Sequence, residues 1–189
     1  MGGLPVTRFS VEEYLASEQT AEFPSEYVDG EIFPIELATL AHGRLLARMG
    51  HSLTDKLGSG PCYAGVQVSL RVSASRYLLP DIAVICGKPV EERGVLVSGA
   101  KVIIEILSPT TEGYDRGAKF AFYRAIPAFE EYVLVSQDTP LVEVYTRQAD
   151  ASWVYRAYET IDATAHFHSL GIDIPLAEVY SGIVDPPSA

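Results

Sequence analysis

Cysteine is scarce. Cys62 and Cys86 are the only two in 189 residues, too few for a disulfide framework and without a zinc pattern, so both are expected as small buried hydrophobes in a reducing cytoplasm. Basic residues are outnumbered: 14 Lys and Arg stand against 25 Asp and Glu, a formal net charge of −11. Such a field repels polyanions on average and argues against a nonspecific DNA coat, although a local basic patch can outweigh the mean. No apolar run approaches the roughly 20 residues of a membrane span. The opening MGGLPVTRFS lacks the apolar stretch of a secretory signal, and Val6 stands where myristoylation of Gly2 wants Ser or Thr. Repeats and low-complexity tracts are missing too; only the terminal DPPSA reads as a short flexible tail. What remains is 48% hydrophobic and 21% charged, enough for a sizeable core and incompatible with disorder. The length favours one domain over residues 1–189.

Ser10 with Glu13 forms a capping box, predicting an N-terminal helix over about residues 10–18. SEYV and EIF flank Asp29-Gly30, a dipeptide that tolerates the positive φ of a tight hairpin turn. Thr39 is placed to cap a helix running to Leu57 before Gly58. Its Leu40, Leu45, Met49, Leu53 and Leu57 share one stripe, with Arg44, Arg48 and Lys56 as a basic flank. Val66, Val68, Leu70 and Val72 alternate with polar residues, predicting one half-buried strand. Ile82–Cys86 and Lys101–Leu107 are nearly continuous apolar runs, as strands covered on both faces require. A helix is expected between Tyr114 and Ala125, then strands in EYVLVS, LVEVYTR and SWVYRAYE. The pattern is an α/β domain with a mixed sheet.

Two carboxylates interrupt this apolar framework. Glu105 lies among Val102, Ile103, Ile104, Ile106 and Leu107, and a carboxylate buried there must be neutral, paired with a cation or bound to a metal. Asp81 follows Pro80 at the head of the other apolar strand, where a residue without an N–H is tolerated. Neighbouring strands lie about 4.8 Å apart, so the two could converge at one edge and hold a hard cation such as Mg²⁺ between them. Asp115, Lys119 and Tyr123 recur at intervals of four on one helix face. Asp115 with Lys119 alone reads as an exposed surface pair; the alternative has Lys119 pointing back over the sheet edge, where an ammonium could steady a phosphate or a water.

Pro80, Asp81, Glu105, Ile106 and Leu107 resemble the core of the PD-(D/E)XK nuclease superfamily. The ordered set SEYVDGEI, AHGRL, LLPDIAV, VIIEILSPTT, YDRGAKFAFY, IPAFEEYVLV and LVEVYTR is similar, over essentially the whole chain, to a mainly bacterial family described as putative restriction endonucleases and also as a domain of unknown function. The resemblance implies a restriction-endonuclease-like mixed central β-sheet flanked by α-helices. It implies that Asp81 and Glu105 bind metal, with the Ile106 carbonyl as a further ligand. It also implies that Glu26 completes the acidic site, that Lys119 is the catalytic lysine, and that His42 matches a family histidine of undefined role. The superfamily motif wants lysine two residues after the second acid; here that place is Leu107, so the lysine would have migrated to position 119. Lys101 shares the face of Glu105, but four strand residues span about 13 Å, too far to reach the same water.

The expected activity is therefore a Mg²⁺-dependent endonuclease, with Mn²⁺ as a substitute, cleaving DNA as a cytoplasmic homodimer without membrane attachment. Arg44, Arg48 and Arg116 are candidates for phosphate contacts. Two alternatives fit the acidic charge and Leu107: a binding or interaction protein that keeps the fold without turnover, and a metal-dependent hydrolase of a small phosphorylated molecule. His166 and His168 read as solvent-side residues, Tyr145, Trp153, Tyr155 and Tyr158 as core or dimer contact, Ser108 and Thr110 as turn residues, and Glu36, Glu91 and Glu92 as solvated surface.

Overall fold

The structure is a computed structural model that describes residues 7–183. Gly2, Val6 and the DPPSA tail fall outside the described residues. Helix α1 (Val11–Glu18) carries the capping box: the Glu13 carboxylate accepts from the Ser10 N–H at 2.7 Å, and the Ser10 hydroxyl accepts from the Glu13 N–H at 3.2 Å. β1 (Ser25–Val28) and β2 (Glu31–Pro34) form the expected hairpin, with Asp29 at φ 51° and Gly30 at φ 101° in its turn. α2 (Leu40–Leu57) begins at the Thr39 cap and buries Leu45, Met49 and Leu53, each worth roughly 1.5–3 kcal/mol of transfer energy. Leu40 departs from the stripe and is exposed in the first turn.

The predicted strand from Val66 to Val72 is broken. β3 (Cys62–Val66) ends where Gln67 takes φ 50° and donates its N–H to the Asp81 carbonyl, and β4 (Leu70–Ser73) starts afresh. β5 (Arg76–Leu78), β6 (Ile82–Glu92) and β7 (Val95–Leu107) follow, the last two extending well beyond their apolar runs. The cysteine expectation is also corrected. β3 and β6 pair antiparallel with Cys62 directly opposite Cys86, their Cα atoms 4.1 Å apart, and the two half-buried residues form a disulfide. The cause is register: directly opposed residues of an antiparallel pair approach closely enough for a bridge, whatever their separation in sequence.

After β7 the chain forms α3 (Glu112–Tyr114), a π-helical turn (Asp115–Lys119) and α4 (Phe120–Tyr123) in one continuous segment. β8 (Glu131–Ser136), β9 (Val142–Arg147) and β10 (Trp153–Tyr158) complete the sheet. A separate hairpin of β11 (Thr164–Phe167) and β12 (Ile172–Pro175) leads into α5 (Leu176–Tyr180).

The mixed sheet runs β10-β9-β8-β7-β4-β5-β1-β2, with β6 paired to β7 and to β3. β7 lies parallel to β8 and antiparallel to β6, where Ile82 faces Ile104. Side chains alternate across β7. Val102, Ile104 and Ile106 join the core beneath α2, α5 and the small hairpin. Ile103 and Leu107 join the opposite core, with Tyr123, Phe129 and Tyr132 beneath the π-helical segment. Glu105 shares this second face, so the helical segment becomes its lid. Tyr145 and Trp153 pack on Phe120 of that layer, Tyr158 packs on the α2 side, and Tyr155 is exposed. His166, His168, Glu36, Glu91 and Glu92 face solvent.

Candidate active site

The register that sets Ile82 against Ile104 carries Asp81 alongside Glu105 on the same face. Each carboxylate touches the backbone of the other's strand region. Glu105 Oε2 accepts from the Asp81 N–H at 3.2 Å, and Asp81 Oδ2 accepts from the Ile106 N–H at 2.7 Å. Asp81 Oδ1 meets His42 Nε2 of α2 at 3.0 Å. Glu105 Oε1 accepts from the Tyr123 hydroxyl at 2.8 Å.

The π-helical turn supplies the cation. Lys119 Nζ lies 3.0 Å from Glu105, 3.3 Å from Glu26 and 3.5 Å from Asp115. The one ammonium is thus within ion-pair distance of three carboxylates. Asp115 with Lys119 is not the surface pair that spacing alone suggested: both are buried, because the segment lies flat on the sheet over Glu105. The wide turn is pinned by Tyr132, whose hydroxyl donates to the Asp115 carbonyl at 2.9 Å, and π-helical turns recur at functional sites. Glu26, brought in by the first hairpin, accepts from the Leu79 N–H at 3.0 Å and from the Tyr114 hydroxyl at 3.2 Å. Glu26, Asp81, Glu105 and Lys119 are thus brought together. His42, Asp115, Tyr114 and Tyr123 complete the cluster.

Three carboxylates pair with the one lysine and Asp81 lies beside them, and burial, helped by these like charges, raises the proton affinities of Glu105 and Asp115. Burial, with Asp81, Asp115 and Glu26 adding to it and Lys119 opposing it, pushes the Glu105 carboxyl up to about 8. Asp115 is raised by burial, again against Lys119. Burial acts to lower Lys119, but Glu105, Glu26 and Asp115 outweigh it and hold the ammonium well above its ordinary value. Tyr114 and Tyr123 are raised by burial and by nearby Glu26 and Glu105, so their hydroxyls remain donors.

Among the described residues, no three His, Cys, Asp or Glu side chains stand as a preformed metal cage. The donor chemistry nevertheless fits a divalent cation. Asp81 and Glu105 stand side by side, joined through the Asp81 N–H at 3.2 Å, and Asp81 retains 14% side-chain exposure, so hard carboxylate oxygens are gathered where an ion could reach them. Leu107, at the motif's lysine position, is a core residue of Glu105's face, and Lys119 reaches Glu105 from the lid.

The expected phosphate contacts fare differently. Arg116 is tied to Glu112 and to the buried Glu143, and Arg48 donates to the Glu178 carbonyl on α5. Lys56 pairs with the Glu178 carboxylate, so the basic flank of α2 serves helix packing more than an open anion site. Arg44 is exposed. Lys101 pairs with Glu130, away from Glu105. Sequence spacing had put Asp115, Lys119 and Tyr123 on one face. Their burial, the Tyr114 contact and the His42–Asp81 pair had no signal beyond the presence of those residues.

A model of the Uma2 family, described as putative restriction endonuclease, matches residues 11–177. The uncharacterized protein slr1290 of Synechocystis is 28% identical over 182 residues, covering 95% of each chain. The uncharacterized protein sll1609 of the same organism is 34% identical over 146 residues, covering 75% of this chain and 82% of that one. A crystal structure of a putative nuclease belonging to DUF820 from Anabaena variabilis superposes with a TM-score of 0.75 at 18% identity, covering 92% of this chain and 98% of its own. At that identity the likeness speaks to the fold, a large mixed sheet flanked by helices.

Proposed function

The chain belongs to the Uma2 family, described as putative restriction endonucleases, and from that membership and the charge cluster we propose a metal-dependent endonuclease acting on DNA. The observation that carries this reading is the convergence of Asp81, Glu105 and Glu26 with Lys119 at one end of β6 and β7, where buried carboxylates outnumber the cation. Asp81 and Glu105 would hold Mg²⁺, or Mn²⁺ in its place. Such an ion supplies Lewis-acid polarisation of the scissile phosphate and a lowered pKa for the attacking water.

The chain's own residues have distinct tasks. The Ile106 N–H orients Asp81 by taking one of its oxygens. Tyr123 and Lys119 hold Glu105 by the other end of its carboxylate from the Asp81 N–H. Tyr114 and the Leu79 N–H fix Glu26, which anchors Lys119. Lys119, beside Glu105 and 8% exposed, would direct a water and offset charge growing on phosphorus. Cutting both strands of a duplex calls for two such centres, so a homodimer belongs to the proposal.

Among the described residues no helix is long and apolar enough to cross a membrane. Action on chromosomal DNA would place the protein in the cytoplasm, where the Cys62–Cys86 bridge must withstand thiol reductants. The test is cleavage of supercoiled plasmid with Mg²⁺ or Mn²⁺, comparing wild type with Asp81→Asn. The proposal expects nicked and linear products from the wild type alone. Cleavage by neither protein, under either metal, would favour a fold retained for binding without turnover.

A further inference from the structure

Phe33 is an aromatic residue that the fold leaves in water beside the acidic cluster. It lies directly opposite Glu26 in the β1–β2 pair, and residues so paired project to one face with Cβ atoms about 5 Å apart. Phe33 thus shares the face on which Glu26 meets Lys119. β2 ends the sheet, so no further strand covers the ring, and 47% of the residue is exposed. From β2 the chain crosses to the start of α2, where Thr39 donates to Gln137 Oε1 at 3.1 Å and the first turn stands against Asp81. Leu37 on this crossing and Leu40 at its end are exposed as well. The rim running from Glu26 to Asp81 is therefore apolar and aromatic. Cations near it are already engaged: Lys119 by three acids, Arg116 by Glu112 and Glu143, and Arg48 by the Glu178 carbonyl.

Resting on the proposed nuclease reading, we infer that Phe33 is a specificity residue of the site: its ring stacks on an unpaired base beside the scissile phosphate, so the substrate class is DNA that is single-stranded or locally unpaired at the cut. Two physical arguments converge on this class. Binding a duplex draws on several Lys and Arg contacts to its phosphates, and a chain of net charge −11 with its nearby cations tied to carboxylates and carbonyls is poorly equipped to supply them. Stacking needs no cation. Every base offers a π-face to an exposed aromatic ring, whatever its sequence, but within a duplex both faces are covered by neighbouring pairs. Only a base released from pairing can lie on Phe33. Leu37 and Leu40 extend the same apolar rim toward Asp81, where the adjoining phosphate would meet the metal. Supercoiled plasmid fits this class, because negative supercoiling favours strand separation.

The experiment gives the full chain one fluorescein-labelled oligonucleotide in three forms: a single strand, a perfect duplex, and a duplex with a short central bubble. Cleavage with Mn²⁺ is followed as kcat/KM, and binding without metal by fluorescence anisotropy. Expected is cleavage of the single strand and the bubble at least about tenfold faster than the perfect duplex, in proportion to the loss of one stacked base. Phe33→Ala should weaken single-strand binding and kcat/KM about five- to 150-fold, leave the perfect duplex unaffected, and be rescued by Phe33→Trp. The residue is exposed, so the variant should keep the wild-type unfolding midpoint; the comparison of the three forms on wild-type protein stands even if it does not. A perfect duplex cut as fast as the bubble, or a Phe33→Ala protein that handles the single strand like wild type, would overturn the inference and leave the nuclease reading intact. Phe33-dependent binding of the single strand with no cleavage of any form would overturn the nuclease reading and uphold the stacking role. No binding of the single strand would overturn the inference outright.

Discussion

Glu105 sits where an acid is hardest to ionise, its proton held up to about 8 by burial among like charges. Raised above the ordinary 4.5, it binds its proton more tightly in the folded than in the unfolded chain. Its contribution to stability is therefore fully present below about pH 4.5 and is lost as pH rises through about 8. Asp115 shifts in the same direction. In EDTA, thermal unfolding followed by circular dichroism should give a midpoint that falls across that window, and Glu105→Gln should flatten the fall. Lys119 works the other way: raised by its three carboxylates, it stays charged throughout the window. It is therefore a fold residue as well as a site residue. Lys119→Met, which leaves Glu26, Glu105 and Asp115 without their cation, should cost about 3–5 kcal/mol in urea unfolding along with any cleavage. A variant as stable as wild type would show that the three acids do not depend on it.

The site depends on a few elements meeting end to end. Pro80-Asp81 starts β6, Glu105 lies near the close of β7, α2 presents His42 in its first turn, and the π-helical segment lays Lys119 over all of them. Thr39→Ala removes the cap that sets the start of α2 and should lower stability by about 1 kcal/mol, read in the same urea titration. A change much smaller than this would mean that packing on Leu45, Met49 and Leu53 alone holds the helix. Much of the element order was legible, because cap, turn and apolar-run signals are local: the Ser10 box, the Asp29-Gly30 turn and the strands of Ile82 and Ile104 follow from short-range chemistry. The break at Gln67 was not, since alternation in VQVSLRV carries no mark of a residue that turns to bond the Asp81 carbonyl. The π-helical turn was equally hidden, because helical spacing of Asp115, Lys119 and Tyr123 says nothing of which carbonyl Tyr132 will hold.

Over the whole molecule, what the sequence concealed was pairing between distant segments. Glu26 and Lys119 lie far apart in the chain, and no local pattern places them 3.3 Å from one another; only the family resemblance put them in one site. The Cys62–Cys86 bridge is the same kind of fact, a consequence of β3 meeting β6 in a particular register. It closes a loop with a sequence separation of 24, and removing such a link costs about 3.5 kcal/mol by loop entropy. Reduction with dithiothreitol should therefore lower the unfolding midpoint measurably, and an unchanged midpoint would mean that the two strands are held by pairing alone.

The acidic surface, with its net charge of −11, leaves the carboxylate cluster as the feature that gives this fold a chemistry. Its most direct test is a crystal soaked in Mn²⁺ and measured at the manganese absorption edge. The account predicts one anomalous peak within coordination distance of both the Asp81 and the Glu105 carboxylates. A fully soaked crystal with no peak there, or with manganese bound elsewhere, would contradict it.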